Sequence, residues 1–131
     1  IATVFAEIVN IKTAKHMDTL KEIKDGVLVI YFTGNLLGEH VNGPILEEVK
    51  HSIEAGNKRV VFNLKDLKFI NSTGFGMFMS AMARLRNVGG ELILAEVPEK
   101  VLALLTIMKL DAVFFISDSE ADALERLKLL K

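Results

Sequence analysis

The fold of this chain is decided by the segment KFINSTGFG at residues 68–76. A β-branched, apolar run typical of a strand precedes it at residues 59–64, and a run with helical spacing follows it and ends at Gly89-Gly90. A second strand-like run occupies residues 91–95. Strand, helix and strand in this order predict a βαβ unit with a right-handed crossover. The segment then lies beyond the carboxyl end of a strand, where open α/β sheets carry their functional groups.

Asn71 and Ser72 are predicted to begin the crossover helix. Both side chains carry an oxygen that can accept a hydrogen bond from the free backbone N–H groups of a first helical turn. A helical wheel separates an apolar face from a polar or small one. The apolar face holds Phe75, Phe78, Ala81, Met82 and Leu85, the opposite face holds Gly76, Ser80, Arg84 and Asn87, and Met77 and Met79 lie at the edges. The helix is therefore expected to bury one side and to begin at an exposed hydroxyl.

Composition limits the classes of function. The 131 residues suffice for one domain with a core and are too few for two. The net charge of −1 gives no indication of nucleic acid or an anionic membrane as a partner. The lack of cysteine excludes disulfides, thiolate catalysis and cysteine-based zinc sites. No apolar run reaches the length of a membrane span and no secretion signal is visible, so a cytoplasmic domain is expected.

The first half of the chain predicts a hairpin, a loop and a helix. The run at residues 27–32 is apolar on both faces, as in a central strand, and the Asp-Gly pair at residues 25–26 favours a hairpin turn before it. A Gly-rich loop is predicted at residues 34–43. Pro44 then opens a helix that Gly56 ends. Its predicted buried stripe is Ile45, Val49 and Ile53, with Leu46 beside it.

The last third predicts a helix, a short strand and a helix. Pro98 opens the first helix, with core positions Val101, Leu102, Leu105 and Met108. Ser117 and Glu120 have capping-box spacing and are predicted to begin the last helix, after a strand at residues 113–116. Its predicted inner side holds Ala121, Leu124 and Leu127. The whole pattern predicts a single α/β domain with a mixed four- to five-stranded sheet and about four helices packed mainly on one face.

Residues 1–16 allow two interpretations. Residues 3–11 could form a natural edge strand. His16-Met17 is also what a common cloning junction leaves, so the segment could instead be a leader before a native start at Met17. In both cases the predicted domain spans residues 17–131.

The segment FINSTGFG at residues 69–76 resembles the signature of STAS domains, in particular of the bacterial anti-sigma factor antagonists. In that family an apolar pair precedes Asp-Ser-Ser/Thr-Gly-Leu-Gly at a strand-to-helix junction. The resemblance covers roughly residues 26–127. Its other parts are Gly34 at the end of an early strand, the turn Gly89-Gly90-Glu91-Leu92, Leu110-Asp111 with Phe114, and the region of Glu120-Ala121.

The resemblance implies a regulatory switch. Such antagonists bind an anti-sigma factor that is also a serine kinase, and this binding frees the sigma factor for transcription. The kinase phosphorylates the signature Ser, which ends the binding, and a phosphatase reverses the modification. By motif position the phosphoacceptor is Ser72, with Thr73 as the fallback. The implied partner surface comprises Gly34, Asn35, Glu39, His40, Asn71, Ser72, Thr73, Gly74, Gly76 and Met77, on a chain expected to be a monomer or weak dimer.

Three positions that are often acidic in the family are neutral here. They are Asn71 before the phosphoacceptor, Leu37 after the early Gly, with Glu39 nearby, and Asn63 at the end of the preceding strand. If those carboxylates help to dock the kinase or its nucleotide–metal site, phosphorylation of this chain is expected to be weak or to need a different cognate kinase. Asn71 can still cap the helix.

No catalysis, metal or cofactor is predicted. The sequence offers no nucleophile with a base and an orienting group. Glu47 and Glu48 lie four and three residues before His51, a spacing found in metal sites, but no second pair completes one. Gly74 and Gly76 match two glycines of a dinucleotide fingerprint, and Met79 stands at the third.

Two other functions stay open. The domain could be a STAS interaction module in a signalling or transport complex, without phosphorylation. It could also bind a small molecule or nucleotide, which would need a deep pocket at the strand ends.

Overall fold

The computed structural model describes residues 9–11, 17–37 and 42–130. These residues form ten elements, which confirm the predicted α/β domain with its four helices and add one short strand to the predicted sheet. In chain order they are β1 (Val9–Ile11), β2 (Met17–Lys24), β3 (Val27–Leu36), α1 (Asn42–Glu54), β4 (Arg59–Ile70), α2 (Ser72–Asn87), β5 (Glu91–Ala95), α3 (Glu99–Ile107), β6 (Phe115–Ser117) and α4 (Glu120–Lys128).

One mixed sheet contains all six described strands in the order of the chain. β1, β2 and β3 are antiparallel, and β3 to β6 are parallel. Each parallel crossover moves one position in the same direction, so right-handed connections bring α1, α2 and α3 to the same face. α4 packs on the other face. The predicted packing of helices mainly on one face is confirmed. Of residues 1–16, Val9–Ile11 form β1 at the edge of the sheet, and the rest lie outside the described ranges.

The central strands are buried on both faces because helices cover both. Alternate residues of β3, β4 and β5 enter the larger core under α1, α2 and α3, while the residues between them face α4. Four phenylalanine rings at the centre of the larger core, Phe32, Phe62, Phe75 and Phe78, have centroids 5.0–6.3 Å apart in each contacting pair. The predicted inner face of α2 is confirmed, as are Ile45 and Val49 in α1.

Two predicted turns are confirmed by backbone angles. Asp25 and Gly26 connect β2 to β3 with φ of 52° and 75°, the positive pair that a tight hairpin requires. Gly56 follows α1 with φ of 88°. β3 continues to Leu36, so the predicted loop at residues 34–43 begins later, and residues 38–41 lie outside the described ranges.

β4 is longer than predicted, because it continues through residues 68–70. The pairing of β4 with β3 has two irregularities. The step from Tyr31 to Thr33 in β3 lies beside the longer step from Asn63 to Asp66 in β4, and the step from Gly34 to Asn35 lies beside that from Leu67 to Phe69. Each adds one residue to β4, as a β-bulge does. Burial then recurs at every third residue, Leu64, Leu67 and Ile70, rather than at every second. A search for strict alternation therefore misses this part of the strand.

The predicted core positions near the carboxyl end are partly wrong. In α3, Val101 and Leu105 are buried, but Leu102 is exposed, and so is Met108 just after the helix. α4 is capped by Ser119, whose Oγ accepts from the Asp122 N–H at 3.1 Å, whereas Ser117 belongs to β6. The inner residues of α4 are Ala123 and Leu127, with Leu124 half-buried and Ala121 exposed.

Candidate functional site

Asn71 connects the end of β4 to the first turn of α2. It is the N-cap that the sequence predicts, since its Oδ1 accepts from the Gly74 N–H at 2.9 Å. Its amide Nδ2 donates to the Leu37 carbonyl at 2.9 Å, and its backbone N–H donates to the Leu36 carbonyl at 3.2 Å. An amide can accept and donate at once, whereas an ionised Asp can only accept. The neutral residue here thus ties the helix start to the end of β3.

Ser72 and Thr73 form the exposed first turn of α2. Neither hydroxyl makes a hydrogen bond within the described ranges. Backbone N–H groups of a first turn have no acceptor inside the helix, and the helix dipole adds partial positive charge there. The first turn therefore presents two accessible hydroxyls in surroundings that favour a negative group.

Two predicted contact residues lie inside the protein instead. Gly74 is buried, and a Cβ at this position would lie 2.8 Å from Ile70 Cγ1 and 3.0 Å from the Leu36 carbonyl oxygen. Met77 is only 1% exposed and belongs to the larger core. Their assignment to the partner surface is thus wrong: Gly74 lets the first turn pack closely on β3 and β4, and Met77 anchors α2.

The remaining predicted contact residues divide between the surface and the undescribed loop. Gly76 is exposed, with open space around its Cα. Gly34, half-buried with φ of 102°, and the exposed Asn35 lie in β3 beside the end of β4. Glu39 and His40 fall outside the described residues.

Asn63, the neutral residue at the bulge in β4, is only 7% exposed. Its Nδ2 donates to Glu120 Oε1 at 3.0 Å and to Glu96 Oε2 at 3.4 Å. A carboxylate at this position would face two others without a proton to share. The neutrality of position 63 therefore has an internal cause, and a partner that docks on the surface does not reach this side chain.

A polar cluster that the sequence did not predict surrounds Glu120 on the α4 side of the sheet. Lys24 Nζ donates to Glu120 Oε2 at 2.6 Å, and the Glu120 N–H donates to Glu96 Oε2 at 3.1 Å. Burial opposes the charge on Lys24 and on Glu120, yet the side-chain hydrogen bonds and the attraction between these two charges outweigh it. They lower the pKa of Glu120 and raise that of Lys24, while burial raises the pKa of Tyr31 beside them. These residues are too far apart in sequence for any local pattern to show the cluster.

The helix face with metal-like spacing is a solvated surface. Glu47 Oε1 and His51 Nε2 are 3.6 Å apart and largely exposed, while Glu48 pairs with Lys21 of β2 at 2.6 Å. In the described ranges no group of three or more His, Asp or Glu is placed to hold a metal ion. None of the helices described there has both the length and the apolar character needed to cross a membrane.

Several known proteins with similar sequences or structures are named anti-sigma factor antagonists, and a sulfate transporter family protein from Wolinella succinogenes also superposes, with a TM-score of 0.63 at 16% identity, covering 82% of this chain and 89% of its own. A curated relative, the anti-sigma F factor antagonist of Paenibacillus polymyxa, is 27% identical over 106 residues, covering 80% of this chain and 90% of its own. An anti-sigma factor antagonist from Mycobacterium paratuberculosis superposes with a TM-score of 0.72 at 20% identity, covering 89% of this chain and 99% of its own.

The antagonist SpoIIAA superposes in two states. Its unphosphorylated form gives a TM-score of 0.66 at 21% identity, covering 85% of this chain and 98% of its own. Its phosphorylated form, from Bacillus, gives 0.65 at 23% identity, covering 82% and 97%. At these identities the structures establish the fold, and the sequence match comes from the STAS domain model, which covers residues 18–123. With the signature at the β4–α2 junction and most of its length matched, this chain belongs to the STAS domain family.

Proposed function

We propose that this chain is an anti-sigma factor antagonist that docks on an anti-sigma factor with serine kinase activity and is released when Ser72 is phosphorylated. The observation that carries the proposal is the exposed Ser72 hydroxyl on the first turn of α2, two residues beyond the buried end of β4, which makes no hydrogen bond to any residue that the structure describes. The similarity to named antagonists, one of which is known in a phosphorylated form, supports the choice of partner class.

The physical basis of the switch is a change of charge in an interface. A phosphate on Ser72 adds about −1.5 to −2 charge at neutral pH. Within the antagonist itself, the phosphate lies near first-turn N–H donors and the positive end of the helix dipole, so the fold tolerates the phosphate. A partner packed against the same helix end would bury that charge away from water. This burial costs free energy unless the partner supplies a cation to pair with it. Phosphorylation thus weakens the complex without unfolding the antagonist, and a phosphatase restores binding.

Mass spectrometry after incubation with anti-sigma factor serine kinases and ATP tests the phosphoacceptor. We expect one phosphate on the wild type, none on Ser72→Ala and an unchanged amount on Thr73→Ala. Thr73 is the matched control because it lies on the same exposed turn. A modified Ser72→Ala protein would remove Ser72 from the proposal. Kinase binding that persists without phosphorylation would favour the interaction module instead.

A further inference from the structure

Helix α3 carries more apolar surface than the core uses. Val101 and Leu105 fill the core, yet Ile107 is 75% exposed. Next to this inner face lies a second stripe with the spacing i, i+3, i+4, i+7, which places its members on one side of a helix. The stripe consists of Lys100, Ala103, Leu104 and Ile107. Leu104 is half-buried against the core, while Ala103 and Ile107 are exposed beside Lys100. Apolar side chains left open in a folded domain indicate a contact surface.

The end of β4 faces this stripe across a groove of about 340 Å³. β5 stops pairing at Ala95, opposite Asn63, so none of the described strands pairs with the later part of β4 on that side. The second bulge places Lys68 and Phe69 at the surface together, and Phe69 is 50% exposed. We name this feature the β4–α3 groove; its lining residues are Lys68, Phe69, Ile70, Lys100, Val101, Ala103 and Leu104.

The charge of the β4–α3 groove has one sign. Lys68 and Lys100 line it, no acidic residue does, and neither lysine forms an ion pair within the described residues. The rest of the lining is apolar. An occupant that matches this surface presents an apolar side chain flanked by carboxylates.

The position of the groove favours a protein segment over a free amphiphile. Ile70 at its floor is followed directly by Asn71 and Ser72, so the groove continues the surface of the candidate docking site. Phe69 is half-exposed at one wall of the groove and Ala103 is exposed at the other, so an occupant is covered on one side only. A segment of a larger partner, which covers its own outer side, fits such an open groove.

We infer that the β4–α3 groove binds an acidic, apolar segment of the protein partner that docks at Ser72. The inference rests on the proposed function for the presence of that partner and adds the chemistry of its contact. Lys68 and Lys100 donate hydrogen bonds to the carboxylates, and the apolar side chain packs between Phe69 and Leu104. Electrostatic steering by the two lysines then sets the orientation in which Ser72 is approached.

The test uses two synthetic helical peptides of about 14 residues, because this is near the shortest length at which an isolated helix begins to be stable in water. One has leucines on one face flanked by glutamates, and its twin has lysines in place of the glutamates. Nuclear magnetic resonance of the ¹⁵N-labelled full chain should show amide shifts at residues 68–70 and 100–107 with the acidic peptide only. Lys68→Glu combined with Lys100→Glu should weaken its binding at least tenfold and admit the basic twin.

Matched variants distinguish binding in the groove from nonspecific binding elsewhere on the protein. Lys50→Glu on α1, the same charge change as either groove substitution alone, should leave the affinity unaltered. Phe69→Ser, at a residue that lines the groove, should weaken binding, whereas Leu102→Ser, on another side of α3, should not. Shifts centred elsewhere, or equal affinity for both peptides, would overturn the inference. Binding of the wild type to anionic lipid vesicles, with no response to the acidic peptide, would also overturn it in favour of a membrane.

The two proposals fail separately. Peptide binding involves neither Ser72 nor a kinase, so Ser72→Ala should bind the acidic peptide like the wild type. If the groove binds no peptide, phosphorylation of Ser72 is unaffected by that result. If Ser72 accepts no phosphate, a groove that binds the acidic peptide still supports a protein partner.

Discussion

At the scale of single residues, the two glycines of the STGFG signature have different roles. Gly74 lies where α2 packs on Ile70 and Leu36, and it has no room for a Cβ. Gly76, two residues later, faces open space. In the sequence they are equivalent members of one motif, and both were assigned to the partner surface. Packing separates them into a glycine that the fold requires and one that it does not.

We predict opposite effects of alanine at these two glycines. Gly74→Ala should lower the free energy of unfolding by about 1–3 kcal/mol, since an added methyl group overpacks the contact with Ile70 and Leu36. Gly76→Ala should raise it by about 0.5–1 kcal/mol, because alanine favours an exposed helical position. Urea unfolding followed by circular dichroism measures both. Equal effects of the two changes would contradict this account of Gly74.

Asn63 shows how one neutral side chain makes room for two acidic ones. We predict that Asn63→Asp lowers the free energy of unfolding by about 2–4 kcal/mol at pH 7, because it puts an unpaired carboxylate beside Glu96 and Glu120. These neighbours raise the pKa of the new carboxyl above its unfolded value. The deficit should therefore shrink as pH falls from 7 to 5 and grow as it rises. Asn63→Ala is the control, and a deficit that does not vary with pH would disprove this origin.

At the scale of elements, α4 is held to the sheet by polar contacts as well as by Ala123 and Leu127. The Glu120 carboxylate accepts from Lys24 of β2 and from Asn63 of β4, so one side chain at the start of the helix contacts two strands. The Glu96 carboxylate accepts from the backbone N–H of Glu120. The position of this helix thus depends on charged groups that are half-buried.

The lowered pKa of Glu120 predicts loss of stability in acid. A group whose folded pKa lies below its unfolded value stabilises the fold above that unfolded value, here about 4.5, and loses this contribution as pH falls through the folded pKa. Lys24, whose pKa is raised, keeps its contribution to stability at every pH below its unfolded pKa, and so throughout the acidic range. Thermal unfolding between pH 6 and pH 3 should show a smaller acid-induced fall in Tm for Glu120→Gln than for the wild type. An equal fall in both would show that Glu120 is not the acid-sensitive group.

At the scale of the whole molecule, the candidate docking site and the larger core lie on opposite sides of helix α2. Because β3 to β6 follow each other without reversal, three helices share one face and α2 lies at its centre. Its inner side contacts the phenylalanine cluster, while its first turn opens to solvent at the end of β4. A charge at Ser72 can therefore change what binds outside without disturbing what packs inside.

This separation predicts that charge at Ser72 leaves the fold intact. Ser72→Asp should have a Tm within about 3 °C of the wild type, or slightly above it, because an acidic residue in a first turn is favoured by the helix dipole. Met77→Asp, five residues further on, should fold poorly because it buries a charge. Differential scanning calorimetry compares the two, and a large fall in Tm for Ser72→Asp would mean that phosphorylation acts by unfolding.

The sequence by itself determined the α/β class, the βαβ unit, the hairpin at residues 25–26 and the cap at Asn71. Each depends on a pattern within a few neighbouring residues, such as period, turn chemistry or capping, which acts before distant parts of the chain meet. The tertiary structure alone decided the bulged end of β4, the burial of Gly74 and Met77, the exposed stripe on α3 and the polar cluster around Glu120. Those features arise where strands and helices distant in sequence compete for the same space and the same hydrogen-bond partners, and a local pattern carries no record of that competition.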